Sequence, residues 1–195
     1  MKRLTSLLIL ILITGLCAFT GDDLPLQLKN KLDRAQMTFN SPAGYTEIPL
    51  VTNSQMHYDY AVKLPTKDFE IRYAIRPLDS VFIQFAAMKK QGGVAINPNK
   101  LYSGLFMATV MNLSGGKLFK INVFDTTAVK KEFNADWGGT CIFPVSGEFG
   151  KGYNTCMAIA LHKDNLGDAY IFYLSNSANN YQSELLPVFY ALKFK

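Results

Sequence analysis

The sequence predicts an α+β protein built on antiparallel strands. Three observations lead to this fold class. Runs in the first third alternate apolar and polar residues, which is the period of a half-buried strand. Segments of the middle third change to apolar spacings of three and four residues, which are typical of helices. In the last third, β-prone runs are separated by short glycine-containing loops, which predict hairpins.

Length and composition predict one domain with a buried core. The chain has 195 residues, of which 49% are hydrophobic and 18% charged. A composition rich in aromatic residues and poor in charge is typical of a packed globule rather than a disordered chain. We expect a signal peptide over residues 1–20, a lead-in over 21–35 and a single α+β domain over 36–195, which is enough chain for one core.

The first twenty residues have the pattern of a secretory signal peptide. Lys2 and Arg3 precede an apolar run over 7–13, and small residues follow. This run is about half the roughly 20 apolar residues that a spanning helix needs. We therefore expect cleavage and export to the periplasm or the extracellular space.

Cys17 leaves an alternative open at the end of this leader. A lipid-modified cysteine normally follows a small residue, whereas Leu16 precedes Cys17. Cleavage near Ala18, Thr20 or Gly21 is therefore favoured over a lipid anchor at Cys17.

The charge pattern argues against nucleic acid as a partner. The formal net charge is +5, and loss of Lys2 and Arg3 lowers it to about +3. Lysines are adjacent only at 89–90 and at 130–131. Neither pair belongs to the clustered basic stripe that binding to a phosphate backbone requires.

The lead-in and the first third predict a short helix followed by strands. Leu28 and Leu32 are four residues apart, which places them on one helical face; the segment either packs on the body or tethers it. In the clearest strand, apolar residues alternate with Glu70, Arg72 and Arg76, so we expect these charges to face solvent. The predicted strands cover 37–40, 46–50, 57–64 and 69–76.

The middle third predicts helices. The first extends from Asp79 to about residue 88, although the same apolar run also fits a buried strand. The second helix opens near Asn97 and ends at Ser114, with Leu105 facing the sheet. A strand over 118–124 and a helix capped by Asp125 or Thr126 follow.

The last third predicts strands over 140–145, 153–162 and 169–174. A final helix over 180–188 is bent or ended by Pro187. A short strand through Leu192 and Phe194 closes the chain.

Two stretches of the chain, together with the order of its elements, resemble a known family. The stretches are M-T-F-N-S-P-A-G-Y at 37–45, followed by E-I-P at 47–49, and E-F-N-A-D-W-G-G-T at 132–140. They are similar to the Mog1/PsbP-like family, and the resemblance covers most of residues 36–195. It implies an α/β/α sandwich with helices on both faces of an antiparallel sheet, and a non-enzymatic binding or accessory role. The motifs are structural, so no functional residues carry over.

Cys141 and Cys156 lie symmetrically about the loop S-G-E-F-G-K-G. In a hairpin centred between Glu148 and Phe149 they face each other across neighbouring strands, within reach of a disulfide. An oxidising compartment favours that bond. A one-residue shift of the loop sends the side chains to opposite faces, so two separate buried thiols are the alternative.

Residues with catalytic or metal-binding chemistry are few. His57 and His162 are the only histidines, and no CxxC or HExxH spacing is present, so we predict no metal site and no cofactor. The G-x-S-x-G elbow of serine hydrolases is also absent. A carboxylate and histidine site would have to use Asp136, His162 or Asp168, and both aspartates fall in predicted turns, where aspartate is favoured structurally.

Asp136 and Trp137 are the candidate contact residues for a ligand or partner. Trp137 is the only tryptophan and stands before two glycines at a helix-to-strand junction. An exposed indole there would anchor a partner. The alternative is that Trp137 closes the end of the core while the glycines make the turn.

The sequence thus favours an exported, non-catalytic binding or accessory protein of a bacterial envelope. Its expected partner is an envelope protein or a small ligand that the sequence does not identify. The alternative is an envelope hydrolase using Asp136, His162 or Asp168 in a cleft. A small-ligand carrier is a third class, and it requires a large, mainly apolar cavity between sheet and helices.

Overall fold

The computed structural model describes residues 24–195, and the predicted signal peptide with Cys17 lies outside them. This part of the chain confirms the α+β class. It contains five α-helices, nine strands and a 3-10 turn at Pro98–Lys100. The helices are α1 (Leu26–Arg34), α2 (Asp79–Lys90), α3 (Tyr102–Leu113), α4 (Thr126–Phe133) and α5 (Ala178–Val188). The strands are β1 (Met37–Phe39), β2 (Thr46–Glu47), β3 (Tyr60–Lys63), β4 (Phe69–Pro77), β5 (Asn122–Val123), β6 (Trp137–Pro144), β7 (Thr155–Lys163), β8 (Gly167–Ser175) and β9 (Leu192–Phe194).

Seven strands form one antiparallel sheet in the order β2-β3-β4-β8-β7-β6-β5. Its four long strands, β4, β8, β7 and β6, are neighbours at the centre. The edge strands β2 and β5 have two residues each. A separate antiparallel ladder joins β1 to β9.

Helices pack on both faces of the large sheet and produce two apolar cores. One core contains side chains of α1, α4 and α5, including Leu28 and Leu32 of the lead-in, which therefore packs on the body. The other contains side chains of α3, including Phe106 and Val110. Strand residues contribute alternately to the two cores because successive side chains point to opposite faces.

The prediction that the charged residues of β4 face solvent is wrong for Glu70 and Arg72. Their exposures are 5% and 2%. Arg72 Nε lies 2.6 Å from Glu70 Oε1, and the guanidinium lies 4.9 Å from the ring centroid of Tyr58 and 4.7 Å from that of Phe149. Arg72 also donates to the Phe149 carbonyl. The charge is buried because it is paired, stacked and hydrogen-bonded, which satisfies donors that water would otherwise satisfy.

The predicted orientation of α3 is also wrong. Leu105 is 47% exposed, whereas Phe106 is 0% exposed and packs in the second core with Val110 and Leu113. The helix is apolar on most of its surface, so two sets of residues share the spacing of three and four positions. Close packing selects the set that carries the aromatic ring.

The segment before α3 is the predicted helix rather than the alternative buried strand. It forms α2, with Asp79 in its first turn and Lys89 and Lys90 in its last, charges that suit the helix dipole. Gly92 follows with a φ of +75°, a left-handed conformation that favours glycine and stops the helix. None of the α2 residues is buried.

The predicted strand over 118–124 is largely wrong, because only Asn122 and Val123 pair with β6. The cap of the next helix is Asp125, whose Oδ1 accepts from the amide of Ala128 at 2.9 Å. Over residues 24–195, no helix combines the length and the apolar character needed to cross a bilayer.

Substitution of Phe106 tests the corrected face of α3. Phe106→Ala should lower the free energy of unfolding by about 3–5 kcal/mol, because it removes a fully buried ring and leaves a cavity. Leu105→Ala, at a half-exposed site on the same helix, should change it by less than about 0.5 kcal/mol. Urea unfolding measures both, and equal losses would contradict the corrected assignment.

Candidate functional site

A cleft lies between α2, α3 and one end of the sheet, and we call it the α2–α3 cleft. Its volume is about 490 Å³. The ends of β4 and β8 contribute Ile75 and Tyr170, and the first turn of α2 contributes Val81. The cleft exists because α2 leaves the sheet directly after β4 while α3 packs on the same sheet further along. The other apolar lining residues are Met56, Pro77, Leu78, Pro98, Leu101 and Leu105.

Two carboxylates hold three cations at the α1 side of this cleft. Asp59 accepts from Lys31 at 2.5 Å and from Arg76 at 3.1 Å. Arg34 forms two hydrogen bonds with Asp79, at 2.8 and 2.6 Å. The hydrogen bonds from Arg34 lower the pKa of Asp79 to about 2. The Arg34–Asp79 pair joins α1 to the start of α2 at this side of the cleft.

His162 lies behind the wall of the cleft and contacts one lining residue, Asp168. Nδ1 of the ring lies 2.7 Å from Asp168 Oδ1, and Nε2 lies 3.0 Å from Asp164 Oδ1. The ring is 1% exposed and stacks on Tyr102 with centroids 4.2 Å apart. The register of the sheet causes this arrangement, since His162 of β7 is directly opposite Asp168 of β8.

The two carboxylates favour the imidazolium form of His162. Burial lowers the pKa of this ring, but the hydrogen bonds and charges of Asp168 and then Asp164 outweigh that effect and raise it overall. The arrangement is therefore an ionic link, of one cation and two carboxylates, between β7, β8 and the turn that joins them.

Asp136 does not join His162 and Asp168 in one carboxylate and histidine site. Its carboxylate accepts from Lys130 at 2.7 Å and from the amide of Asp164 at 3.0 Å. Burial raises the pKa of Asp136, but these two hydrogen bonds lower it more, so the net direction is downward. Asp136 thus holds the β7–β8 turn that carries Asp164.

Trp137 is half-buried and packs against α3. Its ring lies 4.9 Å from Tyr102 and 6.3 Å from Phe106, between centroids. The glycines that follow are strand residues of β6 rather than a turn. A Cβ at Gly138 would lie 2.8 Å from side-chain atoms of Phe124, so close packing requires glycine there. One side of Trp137 also lines a second groove, beside α3.

The geometry of His162 gives it no free nitrogen for proton transfer from a substrate, because both nitrogens already contact carboxylates. The same two contacts place Asp164 and Asp168 on opposite sides of the ring. Across residues 24–195, no group of three or more His, Cys, Asp or Glu side chains could hold a metal ion. What this wall of the cleft offers a ligand is shape, apolar surface and a fixed carboxylate at Asp168.

Cys141 and Cys156 do not face each other as the symmetric hairpin predicts. Cys141 pairs with Ala158, and Cys156 pairs with Phe143. The register differs by two residues because the hairpin is centred between Phe149 and Gly150, one residue later than predicted. The two cysteines share a core but are diagonal neighbours, about 7–8 Å apart at Cα, beyond the usual disulfide range. Both are free thiols.

Sequence reasoning identified Asp168 and His162 but missed the cleft they border. The Lys31–Asp59 and Arg34–Asp79 pairs join residues 28 and 45 positions apart. No local pattern marks such pairs. The exposed apolar run of α2 was a visible signal, but the same run fits a buried element equally well.

Comparison with known proteins gives no relative from which to transfer a function: no family model, no curated protein and no solved structure matches the chain.

The raised pKa of His162 predicts how stability depends on pH. The protonated ring stabilises the fold fully below the unfolded histidine pKa of about 6.5, and this contribution is lost as pH rises through the higher folded-state pKa. We expect the free energy of unfolding to fall as pH rises from the unfolded-state pKa to the folded-state pKa of His162. Asp164→Asn should make this fall smaller, because Asp164 helps to raise the pKa of His162. Urea unfolding at several pH values measures the free energy of unfolding. His57→Gln, at the exposed second histidine, should keep the wild-type profile; a profile unchanged by Asp164→Asn would contradict the assignment.

The register of β6 and β7 predicts that Cys141 and Cys156 are two free, buried thiols that react slowly with alkylating reagents. Burial raises the pKa of Cys141 and of Cys156, so both should react slowly with an alkylating reagent in the native protein. After denaturation without reductant, two thiols should react in a Cys17→Ser background. Mass spectrometry counts the labels, and the absence of label on both cysteines would show a disulfide instead.

Proposed function

We propose that the chain is an exported, non-catalytic binding protein of a bacterial envelope that holds a small apolar or amphiphilic molecule in the α2–α3 cleft. The observation that carries this proposal is the cleft itself, with a volume of about 490 Å³ and a largely apolar lining. Ligand pockets typically have volumes of about 300–1,000 Å³ and combine apolar walls with a few fixed polar groups.

The polar groups at the cleft support an amphiphilic ligand. Lys31, Arg34, Arg76 and Asp168 all line the cleft, and Arg76 is directly opposite Asp168 in the sheet, so charged groups lie beside the apolar wall. All three cations are held by ion pairs, which fixes their positions before a ligand arrives. A molecule with an apolar body and a polar end fits this distribution.

The geometry supports binding more than catalysis. In the hydrolase alternative the base is Asp136, His162 or Asp168. The His162 ring is buried between two carboxylates, and Asp168 and Asp136 are already bound to His162 and to Lys130. The layered α+β fold also supports a distant relationship to the Mog1/PsbP-like family. The resemblance to that family implies a binding or accessory role, although fold alone does not determine function. We include export from the cytosol in this proposal because residues 1–20 have the pattern of a signal peptide.

A matched pair of variants on α3 tests the cleft. Leu105 lines the α2–α3 cleft and Met107 lines the groove on the other side of α3, and their exposures are 47% and 48%. Leu105→Asp should weaken binding of the neutral apolar dye Nile red by about 10-fold or more, because it introduces a charge into the apolar wall. Fluorescence titration gives the two dissociation constants.

Met107→Asp is the control and should leave the dissociation constant within about two-fold of wild type, since surface changes away from a site have small effects. Equal losses in both variants would show that the dye binds outside the cleft. Absence of dye binding by the wild-type protein would contradict the proposal directly.

A further inference from the structure

Residues 80–124 contain no aspartate and no glutamate, although they make up almost a quarter of the chain. All 15 acidic residues lie before or after this segment, while it contains five lysines. The segment includes α2, the 3-10 turn, α3 and β5. The five lysines are Lys89, Lys90, Lys100, Lys117 and Lys120.

The same segment holds most of the exposed apolar side chains. Of the sixteen large hydrophobic residues exposed in the described part of the chain, ten lie between 80 and 124. Ile83 on α2 is 71% exposed, and Val94, just after the helix, is 96% exposed. Exposed apolar residues scattered singly are normal, whereas apolar residues gathered in one patch of the surface mark an interaction site.

The grooves of the surface bring lysines and apolar side chains together. One groove on α2 is lined by Ile83 together with Lys89 and Lys90. A second groove, beside α3, is lined by Met107 and Val123 together with Lys120. We call the five lysines, together with the exposed apolar side chains of residues 80–124 that do not line the α2–α3 cleft, the lysine face.

The lysines of this face are available for an external partner. All five are exposed, and within residues 24–195 none of them forms a salt bridge. The cations elsewhere at the cleft, such as Arg34 and Lys31, are paired with carboxylates. The positive charge of the lysine face is therefore uncompensated by the protein.

We propose that the lysine face docks on the surface of a bilayer that contains anionic lipids. Apolar side chains would enter the boundary between headgroups and acyl chains, and the lysines would meet lipid phosphates. A segment with exposed apolar and cationic side chains and without acids complements such a surface. An acidic protein partner would use the lysines but would not require so many aliphatic side chains.

The shape of α2 suits this role. The helix has no buried residue, and the Arg34–Asp79 pair holds its first turn to α1. Its last turn carries Lys89 and Lys90, followed by Gly92 and Gly93 and then by exposed Val94. This inference is independent of the ligand in the α2–α3 cleft, since neither Ile83 nor Val94 lines it.

Vesicle flotation tests the proposal with the exported protein in a Cys17→Ser background, which removes any acyl anchor. The vesicles contain phosphatidylcholine alone or with about 30% phosphatidylglycerol. We expect binding to the anionic vesicles about 10-fold or more above binding to neutral ones. Raising the salt from about 0.15 to about 0.5 M should weaken it, because salt screens exposed charges.

Two double variants address the two parts of the face. Lys89→Glu with Lys90→Glu should lower the partition coefficient by about 30-fold, since each lysine near an anionic surface contributes several-fold. Ile83→Ser with Val94→Ser should lower it by about 10-fold through lost apolar insertion. Both pairs are exposed, so the fold should persist, and Nile red binding in the cleft should not change.

Matched controls lie elsewhere on the surface. Leu26 and Leu186 are each 72% exposed, close to the 71% of Ile83. Leu26→Ser with Leu186→Ser, and Lys131→Glu with Lys151→Glu, should leave flotation within about two-fold of wild type. Equal binding to neutral and anionic vesicles, equal losses in controls and face variants, or no flotation of the wild type would each overturn the proposal.

Discussion

The central strand β8 is buried along its whole length, and the rest of the structure depends on this burial. All nine of its residues are buried, and it pairs with β4 on one side and β7 on the other. Tyr173 packs in one core and Phe172 in the other, so one strand supports both helical layers. The same strand carries Asp168 to the edge of the cleft, which couples the packing of the interior to the geometry of the candidate site.

Patterns that depend on local spacing were predictable. The lead-in helix buries Leu28 and Leu32 as their spacing predicts, and Asp125 caps α4. Patterns that fit two different sets of buried residues did not predict which set is buried. Because α3 is apolar on most of its surface, its spacing fits burial of Leu105 as well as burial of Phe106. The buried charge of Arg72 depends on Phe149, which is 77 positions away in the chain. Long-range pairing of this kind leaves no trace in the period of a strand.

The candidate site was predictable in part. His162 and Asp168 are six residues apart on two strands of a hairpin, so their contact follows from a short-range register. The α2–α3 cleft depends instead on where α2 leaves the sheet, beside the Arg34–Asp79 pair, whose residues are 45 positions apart. The wall of the cleft and the lysine face nevertheless belong to one stretch of chain. A ligand in the cleft and a bilayer on the face would therefore contact the same helices.

The ladder between β1 and β9 joins the beginning of the domain to its end. Thr38 contacts Lys193, 155 positions later, and Met37 lies in the core opposite Phe194. Contacts of such high sequence separation form late in folding, because a long loop must close first. A chain that emerges from its N-terminus onward therefore cannot complete this core until its last residues are free. The three-residue strand β9 therefore completes a core that α1 and β1 begin, and its loss would leave Met37 without the strand it pairs with.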